Sequence, residues 1–283
     1  MRRKNIEERI FKSLAAAATY LIIAVLLFLI VVILKNGLRA LDWGMLTKVP
    51  QGGFYFGEEG GILNAIVGSF YLALGATFLA FIIGLPVALY MNIHLLRQRF
   101  WLNRIRFLLD VLWGVPSIVY GAFGFTLMLL LGLRASLLAG ILTVTLLIVP
   151  IMIRSMDEVL QTIPRGLLES AYALGSTRSE VAIKVYIRQA LPGVITALLL
   201  SFGRGIGDAA AVLFTAGYTD YIPTSLNQPT ATLPLAIFFQ LSSPIPAVRE
   251  RAYASAVVLT VIILIVSLAA RLLSAKYREH VIK

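Results

Sequence analysis

The chain has 283 residues, 59% of them hydrophobic and only 14% charged, with a formal net charge of +11. Soluble domains usually carry about 25% charged residues, so this composition excludes an ordinary globular enzyme and makes lipid the main solvent. The basic residues are scattered between apolar runs, which argues against nucleic acid as a partner; with no cysteine and two separated histidines, His94 and His280, no metal site is expected.

Residues 1–13 read as a short cytoplasmic segment in which Arg2, Arg3 and Lys4 precede the apolar run Leu14–Leu34. That run reaches the ~20 residues a crossing needs and is too long for a signal-peptide core, so it is an uncleaved first span. Further runs of spanning length follow at Ile62–Ile93, Phe107–Leu133, Ser136–Ile153, Leu191–Ala216 and Tyr253–Ser274. The expectation is an all-α polytopic membrane protein of six transmembrane helices, with 14–283 as a single transmembrane domain. Gly114-Val115-Pro116 would end a soluble helix, but neighbouring spans can satisfy the freed backbone groups, so the third span is expected to be continuous. Eighteen of the 25 Lys and Arg residues fall on one side of this arrangement and six on the other, which puts both termini in the cytoplasm. Asp110, near the start of the third span, reads as a cytoplasmic-end residue without chemistry.

On the outer side, Gly52, Gly53, Phe54 and Tyr55 precede Glu58 and Glu59; this loop fits either a partner contact or an interfacial aromatic belt. On the cytoplasmic side the longest loop, 155–190, reads as two short helices. Pro164 opens the first, Leu167, Leu168, Ala171 and Leu174 share a face, and Gly175 supplies a left-handed stop. Thr177 and Glu180 have capping-box spacing and start the second, which runs toward the fifth span. Such a hairpin can seat in a cleft of a nucleotidase. An ordinary hairpin without a partner would instead leave Leu167 and Leu174 as an exposed apolar patch.

The fifth span contains Arg204 and Asp208 among Gly203, Gly205 and Gly207. Each intramembrane ionisable group costs roughly 2.5–3.5 kcal/mol on insertion scales, so the pair demands an explanation. Four residues apart, they share a helix face and can pair with each other. The arginine fork can bind two oxygens of an oxyanion at once. Asp208 can neutralise Arg204 between transport events, or accept a hydrogen bond from a protonated oxyanion; a pair that only sets helix packing is the competing reading. The glycines remove bulk beside the charges, and their GxGxG spacing inside an apolar helix is no dinucleotide fingerprint. With these boundaries Asp208 is the only carboxylate deep in a span and no nucleophile and base accompany it, so no catalytic residue is expected. Beyond it, Tyr218, Tyr221, Pro223, Asn227 and Pro229 lead to Leu233–Phe239, too short to span and expected to be an interfacial or re-entrant lid.

Glu169-Ser170-Ala171, Gly175 and Ala190-Leu191-Pro192-Gly193 together resemble the loop motif of type I ABC importer membrane subunits. Ser170 stands where alanine is usual, and Val185-Tyr186-Ile187-Arg188 replaces the usual Ile-x-Leu-Pro. Arg204 and Asp208, with Val115-Pro116-Ser117-Ile118-Val119-Tyr120-Gly121, are similar to the A-type membrane subunit (PstA family) of phosphate-specific ABC importers, and nearly the whole chain fits.

This resemblance implies a type I ABC importer permease fold in the bacterial inner membrane, moving inorganic phosphate inward. It implies that Arg204 and Arg154 lie on the phosphate path and that Pro116, Ser117, Tyr120 and Gly121 shape it. Glu169, Ser170, Ala171 and Gly175 would couple to the ATPase. Arg154 equally suits a snorkelling residue at a helix end. No nucleotide-binding Gly-Lys-Ser/Thr loop occurs, so the chain is expected to be no enzyme and to bind no cofactor, with ATP and Mg held by a separate ABC ATPase dimer. A related C-type permease and an extracytoplasmic phosphate-binding protein are the other implied partners. An importer of another oxyanion, such as molybdate or phosphonate, is the nearest rival, and an ion-coupled secondary transporter a more distant one.

Overall fold

The computed structural model describes residues 2–56 and 59–278. Met1, Gly57, Glu58 and residues 279–283, and with them the expectations for Glu58 and His280, lie outside the described residues. The elements are α1 (Arg2–Gly37), α2 (Trp43–Thr47), α3 (Leu63–Ile93), α4 (Arg99–Gly114), α5 (Ser117–Leu130), α6 (Leu137–Gln161), α7 (Arg165–Ala173) and α8 (Arg178–Glu180). A π-helical segment (Val181–Tyr186) joins α8 without a break to α9 (Ile187–Ile206), and α10 (Leu233–Leu241) and α11 (Pro246–Arg278) complete the chain. No strand occurs among the described residues.

Five helices are long and apolar enough to cross a membrane, and α4 with α5 adds a sixth segment bent by 97°. The third span is therefore not the continuous helix expected. Val115 takes an extended ψ of 129°, because proline clashes with an α conformation in the residue before it. Pro116 lacks an N–H, and the Leu112 carbonyl is held instead by the Tyr120 hydroxyl at 2.9 Å and by the Val115 N–H at 3.2 Å. The bend turns α4 across the bundle. Phe100, Trp101, Phe107 and Trp113 stay exposed, with Arg104 stacked 4.1 Å over the Phe100 ring, a pattern that suits an interfacial amphipathic helix. The broken pair still accompanies α6 along its length: Gly124 of α5 faces Thr143, and α4 reaches Asp157.

The fifth span also differs from expectation. Its helix stops at Ile206, and residues 207–216 form turns rather than further helix. Those turns pack against neighbouring elements, the Ser136 N–H reaching the Thr215 carbonyl at 2.9 Å.

At the centre lie α3 and α6. Ala65, Gly68, Ala73, Ala76, Ala80 and Gly84 line the buried side of α3, and such small residues let backbones approach and gain dispersion contacts that lipid alone cannot supply. Leu72, Met91, Ile148, Met152 and Met156 fill the seam. By contrast, none of the apolar window of α1 is buried, and it packs along α11 at the edge of the bundle. The short α10 buries one side, Leu233, Pro234, Leu235, Ala236 and Gln240, against α3 and α11, while Phe238, Phe239 and Leu241 stay exposed.

Candidate functional site

Arg204 sits in the last turn of α9, and Asp208 follows just beyond the helix end at Gly207. Although not on one continuous helix as expected, the two groups pair at 3.1 Å. The second Asp208 oxygen accepts from the Ala211 N–H at 2.8 Å, which closes the turn and fixes the carboxylate. A Cβ at Gly205 would meet Val144 of α6 at 3.2 Å, and one at Gly207 would meet Ile263, near the middle of α11, at 3.7 Å. The pair therefore lies level with the middle of a long apolar helix. Asp208 is buried, but 47% of the Arg204 side chain is exposed. A guanidinium offers five N–H donors, so most of its hydrogen-bonding capacity faces outward.

The neighbourhood of Arg204 is kept open. Nothing lies within 4 Å of a Cβ placed on Gly203. From α5, Gly121 packs so closely that a Cβ there would come within 2.6 Å of the Ala210 carbonyl oxygen; only glycine lets α5 rest on the turn that holds Asp208. Tyr120, one residue earlier, is buried and fixes the α4–α5 bend, while Pro116 caps α5 and Ser117 is its first residue. The fold thus brings Arg204, Asp208, Gly203, Gly205, Gly207, Tyr120 and Gly121 into one region.

Arg154 is elsewhere. It lies ten residues past Val144 on α6, about 15 Å along the axis at the helical rise. Its Nε pairs with Asp110 at 2.8 Å and a terminal nitrogen with Asp157 at 2.9 Å. Asp157, fully buried, also takes two bonds from Arg106 (2.9 Å each), one from Asn92 (2.7 Å) and one from Gln161 (2.9 Å). Arg154 is neither snorkelling nor beside Arg204. The cluster corrects two further readings: Asp208 is not the only carboxylate buried in a helix of the bundle, and Asp110 is an ion-pair partner. The sequence signal was present in the i, i+3 spacing of Arg154 and Asp157, but Asp157 falls beyond the predicted span end at Ile153, and its remaining partners come from α3 and α4.

The cluster stands at the root of the α7–α8 hairpin. Gln161 ends α6, α7 begins four residues later, and the returning chain donates from the Tyr186 hydroxyl to the Asn92 carbonyl at 2.9 Å. Gly175 has φ +82°, with its N–H on the Tyr172 carbonyl at 3.0 Å and the Ser176 N–H on the Ala171 carbonyl at 3.1 Å. That is the left-handed stop expected. The Thr177–Glu180 capping box also forms, at 3.0 and 3.3 Å. The second helix, however, runs on through the π segment into α9 in place of a proline-marked end, so the hairpin and the Arg204 helix are one rod. Leu167, Leu168 and Ala171 pack on the bundle, whereas Leu174 is 86% exposed, off the face assigned to it. Glu169 and Ser170 are exposed as well.

On the opposite side, the Tyr55 hydroxyl donates to Asp220 at 2.5 Å and Asn64 to the Thr219 carbonyl at 2.7 Å. Burial, then the Asp220 carboxylate, pushes the Tyr55 hydroxyl above its ordinary range, so it remains a donor at neutral pH. These bonds tie the first outer loop to the segment before α10.

A bundle of this form, with five helices long and apolar enough to cross a membrane and a hairpin fused to the Arg204 helix, defines a polytopic membrane protein. Its fold is similar to an inward-facing MetNI methionine ABC transporter chain (TM-score 0.63, 19% identity, covering 76% of this chain and 95% of that one). A crystal structure of an amino acid ABC transporter with histidines is also similar (TM-score 0.54, 17% identity, 78% and 94% covered).

Residues 81–279 match the family described as binding-protein-dependent transport system inner membrane component. The chain is 34% identical over 78% of its length to the phosphate transport system permease protein PstA of Yersinia pestis, covering 74% of that protein. It is 35% identical over 85% to the PstA of Xylella fastidiosa strain Temecula1, covering 83%. It is 32% identical over 92% to a probable phosphate transport system permease protein PstA of Methanocaldococcus jannaschii, covering 91%. The chain belongs to the binding-protein-dependent permease family and, within it, to the PstA family. It is a multi-pass inner-membrane transport subunit.

Proposed function

We propose that the chain is the permease subunit of an ATP-driven importer that moves inorganic phosphate into the cytoplasm. The half-exposed Arg204 guanidinium, level with the middle of α11 and held on one side only, carries the reading. A cation at this depth stabilises a passing anion most where water is scarce. That the PstA relatives are phosphate transport system permeases supports phosphate as the anion. Hydrogen phosphate can displace Asp208 from Arg204, and the freed Asp208 oxygen can accept the remaining phosphate proton. A fully deprotonated sulfate would face that carboxylate without a proton and be repelled.

The partners follow from what the chain lacks. Without a phosphate-binding loop of its own it draws on a separate ATPase dimer, which holds ATP and Mg and receives α7 with Glu169, Ser170, Ala171 and the exposed Leu174. A related C-type permease completes the path around the open face of Arg204, and a phosphate-binding protein delivers to the outer loops. Both termini are cytoplasmic, on the side of the hairpin. Because α8, the π segment and α9 are continuous, movement of the hairpin reaches Arg204 directly. The Asp157 cluster, with Arg154, positions the hairpin root.

Uptake into proteoliposomes holding the complete transporter tests this. Arg204→Gln should lower phosphate uptake by about 100-fold or more, the expected scale for losing a bidentate charge-assisted contact, with subunit assembly intact. Normal uptake by that variant would remove the site. Stimulation of ATP turnover by molybdate or a phosphonate but not phosphate would reassign the cargo, and failure of any ATPase to copurify would remove the importer class.

A further inference from the structure

A cavity of about 430 Å³ lies between the cytoplasmic end of α3 and the hairpin, well away from Arg204. Its lining includes His94 and Arg97 from the turn after α3, and Tyr172, Ser176, Thr177 and Arg178 from the hairpin. No carboxylate lines it, and no carboxylate among the described residues pairs with Arg97 or Arg178. The acid nearest in sequence, Glu180, is taken up by Thr177 and by Lys184 at 3.1 Å. Two unpaired guanidiniums and an imidazole thus share one concave space with the Tyr172 and Ser176 side chains.

We propose that this cavity is a second, cytoplasm-facing site that binds a phosphoryl oxyanion. Guanidinium forks match the geometry of phosphate oxygens, and the Tyr172 and Ser176 hydroxyls supply neutral donors. The volume is many times the ~30 Å³ share of one water, so the anion can keep part of its hydration or carry an organic substituent, with water bridging the longer contacts. The two halves of the lining come from different elements. Arg97 sits in the turn after α3, and Arg178 opens the rod that ends at Arg204. An anion bridging them clamps the hairpin to the bundle, and by linkage any movement of the hairpin changes the affinity for the anion. The site is independent of which anion crosses the membrane.

Two sources share this chemistry: free inorganic phosphate, and the headgroup of an anionic phospholipid at the cytoplasmic face. The test uses the full transporter complex carrying Arg204→Gln, which silences the path, in nanodiscs of phosphatidylcholine or of phosphatidylglycerol. Titration with inorganic phosphate by calorimetry should show saturable binding in phosphatidylcholine. Adding Arg97→Gln with Arg178→Gln should weaken it about tenfold or more. Arg97→Lys with Arg178→Lys, which keeps both charges but not the forks, should restore binding in part and excludes misfolding as the cause. Suppression of phosphate binding in phosphatidylglycerol would identify the lipid headgroup as the occupant, and equal binding in both lipids would identify the free ion. The proposal fails if the two Gln substitutions leave the titration unchanged, or if phosphatidylcholine discs show no saturable binding. Neither result touches the Arg204 reading, whose measure is uptake.

Discussion

Two arginine centres lie at different levels of the bundle and are built on opposite principles. Arg204 has one carboxylate partner and a side chain 47% exposed; Arg154 has three, at 2.8, 2.9 and 3.7 Å, and a side chain 20% exposed. Asp157 completes the contrast, a buried carboxylate accepting from two arginines, an asparagine and a glutamine. The first centre has donors to spare and can take up a passing anion. The second is saturated, so an anion entering it would have to break several bonds already made.

The saturated centre should break most severely. Asp157→Ala leaves Arg106 and Arg154 partly buried without their shared counter-charge, and removal of one partner from a buried ion pair costs about 3–5 kcal/mol. Thermal unfolding of the purified complex should show that loss, with uptake falling in step with folded protein. A variant with wild-type unfolding would make the cluster an ornament. Arg154→Gln should cost less, about 2 kcal/mol for the lost charge-assisted bonds, because Arg106 still holds Asp157. Its uptake per folded complex should keep the wild-type preference among oxyanions; a changed preference would return Arg154 to the path. Arg204→Lys is the mirror case. It keeps the charge but not the fork, so uptake should fall about tenfold while unfolding stays unchanged.

The two centres also differ in how far sequence alone reveals them. Arg204 and Asp208 are conspicuous because charge in an apolar run is costly, and their pairing forms as expected; Gly175 with Thr177 and Glu180 specifies its turn locally, and that turn also forms. Asp157 escaped because its partners Asn92 and Arg106 are 51 or more positions away in the chain, and the local spacing to Arg154 and Gln161 does not by itself announce a carboxylate cluster. The helix ends failed for a related reason. Apolar composition continues through Ala209, Ala210 and Ala211, but Asp208 caps a turn there, and hydropathy does not register a change of backbone direction.

The break before α5 is the sharpest instance, and Tyr120 is the residue that tests it. Lipid tolerates proline in a helix only if the freed carbonyls find donors, and here the Tyr120 hydroxyl supplies one to Leu112 across a 97° bend. Tyr120→Phe removes that donor and nothing else from the packing. The expected loss is about 1 kcal/mol, the usual net value of one hydrogen bond, the smallest of these effects. Because Gly121 next to it supports the turn of Asp208, relaxation of the bend should also loosen Arg204. Uptake by Tyr120→Phe should therefore drop by more than its stability loss explains. Should uptake per folded complex equal that of wild type, the bend is a packing solution alone, and Arg204 is held by α6 and α11 without help from α5.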